Sequence, residues 1–191
     1  VKNADGTFVV VKKDDKWVIS SPADFTGDSS VLSSLVTNAC SVSADKLIEE
    51  NAQDLSIYGL DKPVTVTIKL KDGKEAAIEV GNLTPTKSGY YAKIPGENKV
   101  YTIGTYTGGK LAVSKKDLRT KDIYTVTTDD ITKLSMERNG NNVFSSVKGS
   151  DDNWTLTQPI KANVNTSALY PMLEALAGTR VSEYVAEKPS D

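Results

Sequence analysis

Histidine is absent from all 191 residues. That absence excludes a Ser-His-Asp triad, a histidine proton shuttle and every histidine-ligated metal site, since each needs an imidazole to titrate or coordinate. Cysteine occurs once, as Cys40, so neither an internal disulfide nor a thiolate cluster can form, and the residue is expected to be a small buried side chain on a helix. No apolar run approaches the roughly 20 residues that a membrane-crossing helix needs. The opening Val1-Lys2-Asn3-Ala4-Asp5 has no signal-peptide core and no initiator Met. Charge of one sign is lacking as well: 23 Lys and Arg against 25 Asp and Glu leave a formal charge of -2, too little to attract nucleic acid.

What is present describes a folded, well-solvated chain, 38% hydrophobic and 25% charged, long enough for one large or two small cores. An internal similarity organises it. Asp14-Asp15-Lys16-Trp17-Val18-Ile19-Ser20-Ser21-Pro22 aligns with Asp151-Asp152-Asn153-Trp154-Thr155-Leu156-Thr157-Gln158-Pro159, in a chain with only two Trp and seven Pro. Each string follows a strand-like segment, residues 7–12 and 142–147, so each reads as a hairpin with the Asp-Asp pair at its bend. A helix is predicted after each Pro, over residues 29–38 and 167–177, the second ended by Gly178. Extended segments are predicted next, at residues 41–48 and 179–185. Between the copies, Val64-Thr65-Val66-Thr67-Ile68-Lys69-Leu70 alternates without fault, Asp72-Gly73 turns, and residues 76–80 return. With strands at 89–94 and 99–103 around Pro95-Gly96, this makes an antiparallel meander with one wet face. A short helix at 111–118 and a strand at 132–138 lead to the second copy. The expected fold class is α+β: antiparallel sheets with a few short helices, and a hairpin-helix opening unit repeated in tandem. The expected division is residues 1–124, one complete unit, and residues 125–191, the start of a second unit cut short.

Motifs for chemistry are incomplete. Gly104-Thr105-Tyr106-Thr107-Gly108-Gly109-Lys110 matches seven positions of a phosphate-binding loop, but Leu111 stands where a Ser or Thr must hold magnesium. It therefore reads as a glycine-bearing turn. Ser43-Ala44-Asp45-Lys46 has the spacing by which a lysine activates a serine, as do Ser145 and Lys148. With 18 Ser and 20 Lys in the chain, chance supplies about two such spacings. The adjacent carboxylates at 14–15, 49–50, 129–130 and 151–152 read as solvated turns, because neighbouring residues point apart. Asn82, Asn153 and Asn165 each begin a glycosylation sequon. Trp17 and Trp154 suit the core, and Tyr90, Tyr91, Tyr101 and Tyr106 are the candidate interaction surface, since tyrosine favours surfaces half apolar and half wet.

One resemblance rests on Asp54-Leu55-Ser56-Ile57-Tyr58-Gly59-Leu60-Asp61-Lys62-Pro63, followed by the alternating strand and Asp72-Gly73. With residues 17–22, Val80-Gly81, Tyr90-Tyr91, Val100-Tyr101 and Leu118-Arg119-Thr120-Lys121-Asp122, it resembles the family catalogued as domain of unknown function 4340. The resemblance implies a bacterial protein outside the cytoplasm, tethered by an anchor upstream of Val1, and akin to auxiliary components of gliding-motility and ABC-type export systems. The expectation is a non-catalytic envelope module that binds protein or glycan partners, with no cofactor, metal site or nucleic acid; the alternative is an envelope hydrolase using carboxylates or a Ser-Lys pair.

Overall fold

The computed structural model describes residues 1–23 and 25–185. By its contacts the chain divides into two compact units, Val1–Thr120 and Lys121–Asp191.

In the first unit, short strands β1 (Lys2–Asn3) and β2 (Gly6–Thr7) make a small hairpin, and β3 (Val9–Lys13) with β4 (Lys16–Ser21) makes a separate two-stranded sheet. The bend of the second hairpin holds Asp14 and Asp15 at φ 46° and 61°, the left-handed pair that a type I′ turn requires. After a cis Ser21–Pro22 bond comes helix α1 (Ser29–Cys40), two residues longer than predicted. Asp28 caps it by accepting from the Ser30 and Val31 N–H groups at 2.9 and 3.1 Å, which satisfies donors that a helix start leaves orphaned.

Strands β5 (Lys46–Glu49), β6 (Val64–Lys69), β7 (Glu75–Leu83), β8 (Gly89–Lys93) and β9 (Val100–Gly104) follow. With the first hairpin they form one antiparallel sheet in the order β2-β1-β6-β7-β8-β9-β5. Residues directly opposite on neighbouring strands share a face, so Val66, Ile78, Val80, Ala92 and Ile103 line up on one side. Leu32 and Leu35 of α1 pack into the core that they form. The predicted helix over residues 111–118 is corrected to two: α2 (Thr105–Leu111) and α3 (Lys115–Leu118). The Gly108-Gly109 pair that suggested a turn is helical because Gly108 faces Tyr90, whose ring any Cβ would strike. Burial of Leu111 offsets the poor helix propensity of glycine, and a reciprocal Ser114–Asp117 capping box starts α3 afresh.

In the second unit, β10 (Lys133–Arg138), β11 (Asn141–Lys148), β12 (Trp154–Gln158) and β13 (Ala162–Asn163) form an antiparallel sheet. Helix α4 (Thr166–Ala177) follows a cis Gln158–Pro159 bond and ends at Gly178. Trp154, Leu169 and Leu173 are its buried core, whereas Trp17 is half-buried against the core of the first unit. Both Trp-to-Pro strings thus end the second strand of a hairpin and precede a helix of 12 residues. They differ in the bend: two residues in the first, residues 149–153 in the second. The extended segment predicted at 179–185 is not a strand and makes only an isolated bridge, Asp122 with Arg180. A strand needs a neighbour along its length to satisfy its backbone; β5 finds one in β9, whereas this segment meets residues 121–123 around the one bridge, where Val181 N–H donates to the Lys121 carbonyl at 2.7 Å and Ile123 N–H to the Thr179 carbonyl at 3.3 Å.

Leu32 is fully buried and Leu47 is 46% exposed. Leu32→Ala is therefore expected to destabilise the first unit by about 2–5 kcal/mol, and Leu47→Ala by no more than about 0.5 kcal/mol. Thermal denaturation of the two variants checks this, and the opposite ranking would contradict the burial described.

Candidate binding groove

Each face of the large sheet has its own cover. On the outer face, the chain between β5 and β6 forms a strap built around a 3-10 turn at Ser56–Tyr58. Asp54 Oδ1 accepts from the Ser56 N–H and hydroxyl at 2.9 and 2.6 Å, and these bonds hold its carboxyl below the usual pKa. Leu55 carbonyl accepts from the Tyr58 and Leu60 N–H groups at 3.2 and 2.9 Å. Gly59 has φ 68°, and a Cβ there would run into the Asn82 side chain; at Gly81 a Cβ would meet the Tyr58 carbonyl. The strap and β7 thus touch at two residues without side chains. This contact lets Leu60 sink beside Val100 and Ala52, and lets the Tyr58 ring meet Tyr91 edge-on at 4.8 Å.

The Tyr58 hydroxyl donates to Glu49 Oε2 at 2.7 Å, and that bond raises the phenol pKa. Nearby, buried Lys93 pairs with Glu79 at 2.8 Å and donates to the Glu97 carbonyl at 3.1 Å. A buried ammonium is tolerated when it is paired and hydrogen-bonded in this way. The outer face, expected wet, is partly covered for these reasons.

On the inner face, α1 covers the sheet incompletely. A cavity of about 290 Å³ opens between its C-terminal end and the middle of the sheet, lined by Val42, Ala44, Ile68, Ala76, Ile94 and Tyr101 among others. A second, of about 600 Å³, lies between α1, the β3–β4 hairpin and β6, and its walls include Phe8, Val10, Trp17, Leu35 and Val36. The two share Ala39, Val66 and Ile68. Together they form a largely apolar groove of the size and lining of ligand and peptide sites. Leu70 and Ile94 are exposed at its ends.

The four candidate tyrosines fall in separate places. Tyr90 packs on the core beneath Gly108, Tyr101 lines the smaller cavity, Tyr91 lies under the strap, and Tyr106 stands 70% exposed on α2 with Lys110 Nζ 5.6 Å from its ring. Two of them, Tyr90 and Tyr101, share the groove-side face of the sheet, by their pairing with Ile103 and Ala92. Ser43 lies exposed before Lys46 at the start of β5. Lys148 is taken by Asp152 at 2.9 Å, and Ser145 accepts from the Asn142 amide at 2.8 Å. Gly104 is the N-cap of α2 and residues 105–110 are helical, so the segment is not the loop that wraps a phosphate ahead of its helix. Asp130 and Asp151 serve local caps and turns. Cys40, expected buried, is exposed because it ends α1 beyond the buried stripe. Among the described residues no cluster of three Cys, Asp or Glu could hold a metal ion, and no helix is long and apolar enough to cross a membrane.

The fold is α+β with mostly antiparallel sheets, grooved on one face and strapped on the other. The profile of the family described as domain of unknown function (DUF4340) matches residues 17–191, and the chain belongs to that family. No curated protein and no solved structure matches it. The strap is the family-like string itself: Tyr58, Gly59 and Leu60 each make one of its contacts. The groove carries no signature of its own in the sequence, since its walls come from elements far apart in the chain.

Two outcomes follow from the strap. Gly81→Ala is expected to destabilise by about 1–3 kcal/mol through overpacking, measured by chemical denaturation. A phenol whose folded pKa is raised contributes stability that is complete below the unfolded pKa, about 10, and lost as pH rises through the folded one. Tyr58→Phe should accordingly flatten the decline in melting temperature above about pH 10, and an unchanged alkaline slope would dismiss the Glu49 bond as its source.

Proposed function

We propose that this chain is a non-catalytic interaction module of the bacterial cell envelope, held outside the cytoplasm by an anchor upstream of Val1. It acts as a scaffold part of transport-associated machinery and binds a protein partner. The observation that supports this reading is the open apolar groove beside α1, whose two cavities share a floor of Val66 and Ile68. Exposed apolar surface of that extent is costly unless something covers it. The hairpin-helix opening units before and after the meander suit a scaffold assembled from repeats, with function carried by the groove and not by the fold as such.

The test places a photo-crosslinking residue at Ile94, on the groove's rim, and a control at Thr86, in the β7–β8 connection, in cells expressing the protein. An adduct with an envelope or transporter component from Ile94 alone supports the reading. Adducts restricted to cytoplasmic proteins, or none, overturn it, as would protection from protease added outside spheroplasts.

A further inference from the structure

The smaller cavity is a trough over the middle of the large sheet. Its floor is the inner face of β6, β7, β8 and β9, which lie between β1 and β5 in the sheet order. At the usual strand spacing of about 4.8 Å, four adjacent strands make a floor about 14 Å across. Ala39, Val42 and Ala44, at and beyond the end of α1, form the opposite wall. Small side chains keep the space open: Ala76 and Ala92 stand on the floor where their cross-strand partners are Ile68 and Tyr101. One side of the trough is closed, since Val66, Ala92 and Ile103 are buried, and the other faces water, since Ala44, Ala76 and Ile94 are exposed.

The chemistry of the trough is set by what its walls lack. Among the lining residues only Lys93 and Tyr101 have polar side chains. Lys93 follows Ala92 along β8 and so points to the outer face. There its ammonium is held by Glu79 at 2.8 Å and by the Glu97 carbonyl at 3.1 Å. The walls thus offer no charge and a single hydroxyl, that of Tyr101. A peptide main chain or a sugar on the closed side would give up its hydrogen bonds to water without replacement. A hydrocarbon gives up none and gains burial.

We propose that the smaller cavity takes the hydrocarbon tail of a single-chain lipid, laid across β6 to β9 with its head group in water. Val66, Ala92 and Ile103 meet the inward side of the tail, and Ala76 and Ile94 flank its outward side. The volume of about 290 Å³ stands at the small end of ligand sites, roughly 300–1,000 Å³, which suits one tail and not two. No charged group lines the trough to select a head group, so the tail alone is recognised. This goes beyond the interaction module proposed above and does not rest on it: the protein partner meets the rim, and the tail fills the trough.

The probes are alkyl maltosides from hexyl to dodecyl, kept below their micelle-forming concentrations and titrated calorimetrically into the chain. Affinity is expected to rise about threefold with each methylene as far as decyl, which fills the length of the floor, and then to level off. Decanoate, with a charged head group, should bind within about threefold of decyl maltoside. Nuclear Overhauser contacts from the tail should fall on the methyl groups of Ala76, Ala92 and Ile103. Ala76→Leu, which adds bulk inside the trough, should weaken decyl binding at least about tenfold, and Thr67→Leu, on the other face of β6, should leave it within about twofold. Melting curves confirm that both variants fold. Absence of binding by every tail, equal binding by Ala76→Leu, or an affinity that keeps climbing past decyl as adsorption to a surface would, overturns the inference. Sedimentation of the chain with phosphatidylcholine vesicles in place of monomer binding would assign the apolar rim to a bilayer and also overturns it.

Discussion

The missing side chain at Gly81 is the constraint on which the first unit depends. Because β7 has no Cβ there, the Tyr58 carbonyl can rest against the strand, and the strap closes on the outer face. Closure brings Leu60 and Ala52 over Val100, and Tyr58 over Tyr91. Without it those side chains would face water, at about 25 cal/mol for each Å² of apolar surface. Gly59 complements Gly81 from the strap side, where the left-handed turn and the Asn82 side chain together exclude a Cβ. The strap, the sheet and the layer of α1 and α2 thus give the unit three tiers, with the sheet buried in its middle and open at its margins.

The polar contacts of the outer tier follow from that closure. Lys93 is buried where the strap side of the sheet offers it Glu79 and the Glu97 carbonyl. Each partner offsets part of its desolvation. Glu49 is occupied in a similar way by the Tyr58 hydroxyl. Beneath and beside the strap, Lys93, Glu79 and Glu49 thus each have a partner. On the inner side the lining of the smaller cavity is mostly apolar, and this is where the binding reading has its place.

How much of this was legible depends on whether a feature is local. Alternation over residues 64–70, the Asp72-Gly73 and Pro95-Gly96 turns with Gly73 and Gly96 at φ 85° and 83°, and the amphipathic stripes of α1 and α4 are properties of short windows. They could be read from the sequence, and the meander and both helices follow them. Gly108 could not be read, because its reason is a contact with Tyr90, 18 positions away in the chain. The segment at 179–185 failed for a similar reason: its pattern suits a strand, but a strand is decided by its neighbour. The Tyr58-Gly59-Leu60 string announced the family without announcing its role, which needs Gly81 and Tyr91 to be seen across from it. The groove was invisible because its lining is drawn from α1, β6, β7, β8 and β9, which meet only in the fold.

Edge management separates the outer strands of the described sheets from an inner one such as β6. An unpaired strand edge invites unwanted pairing, and proteins blunt such edges with shortness, bulges or charge. Strands β2 and β13 have two residues each. Strand β5 is short and broken in register between Leu47 and Glu49, and β10 is broken between Met136 and Glu137 and carries Lys133, Glu137 and Arg138. The two-stranded sheet shifts register between Val9 and Val10 and carries Lys12, Lys13 and Lys16. By contrast β6 pairs with β7 without a shift from Val64 to Lys69, and β1 meets its other side at Lys2 and Thr65. Its regularity suits a strand that lies between two others in the sheet order, β1 and β7.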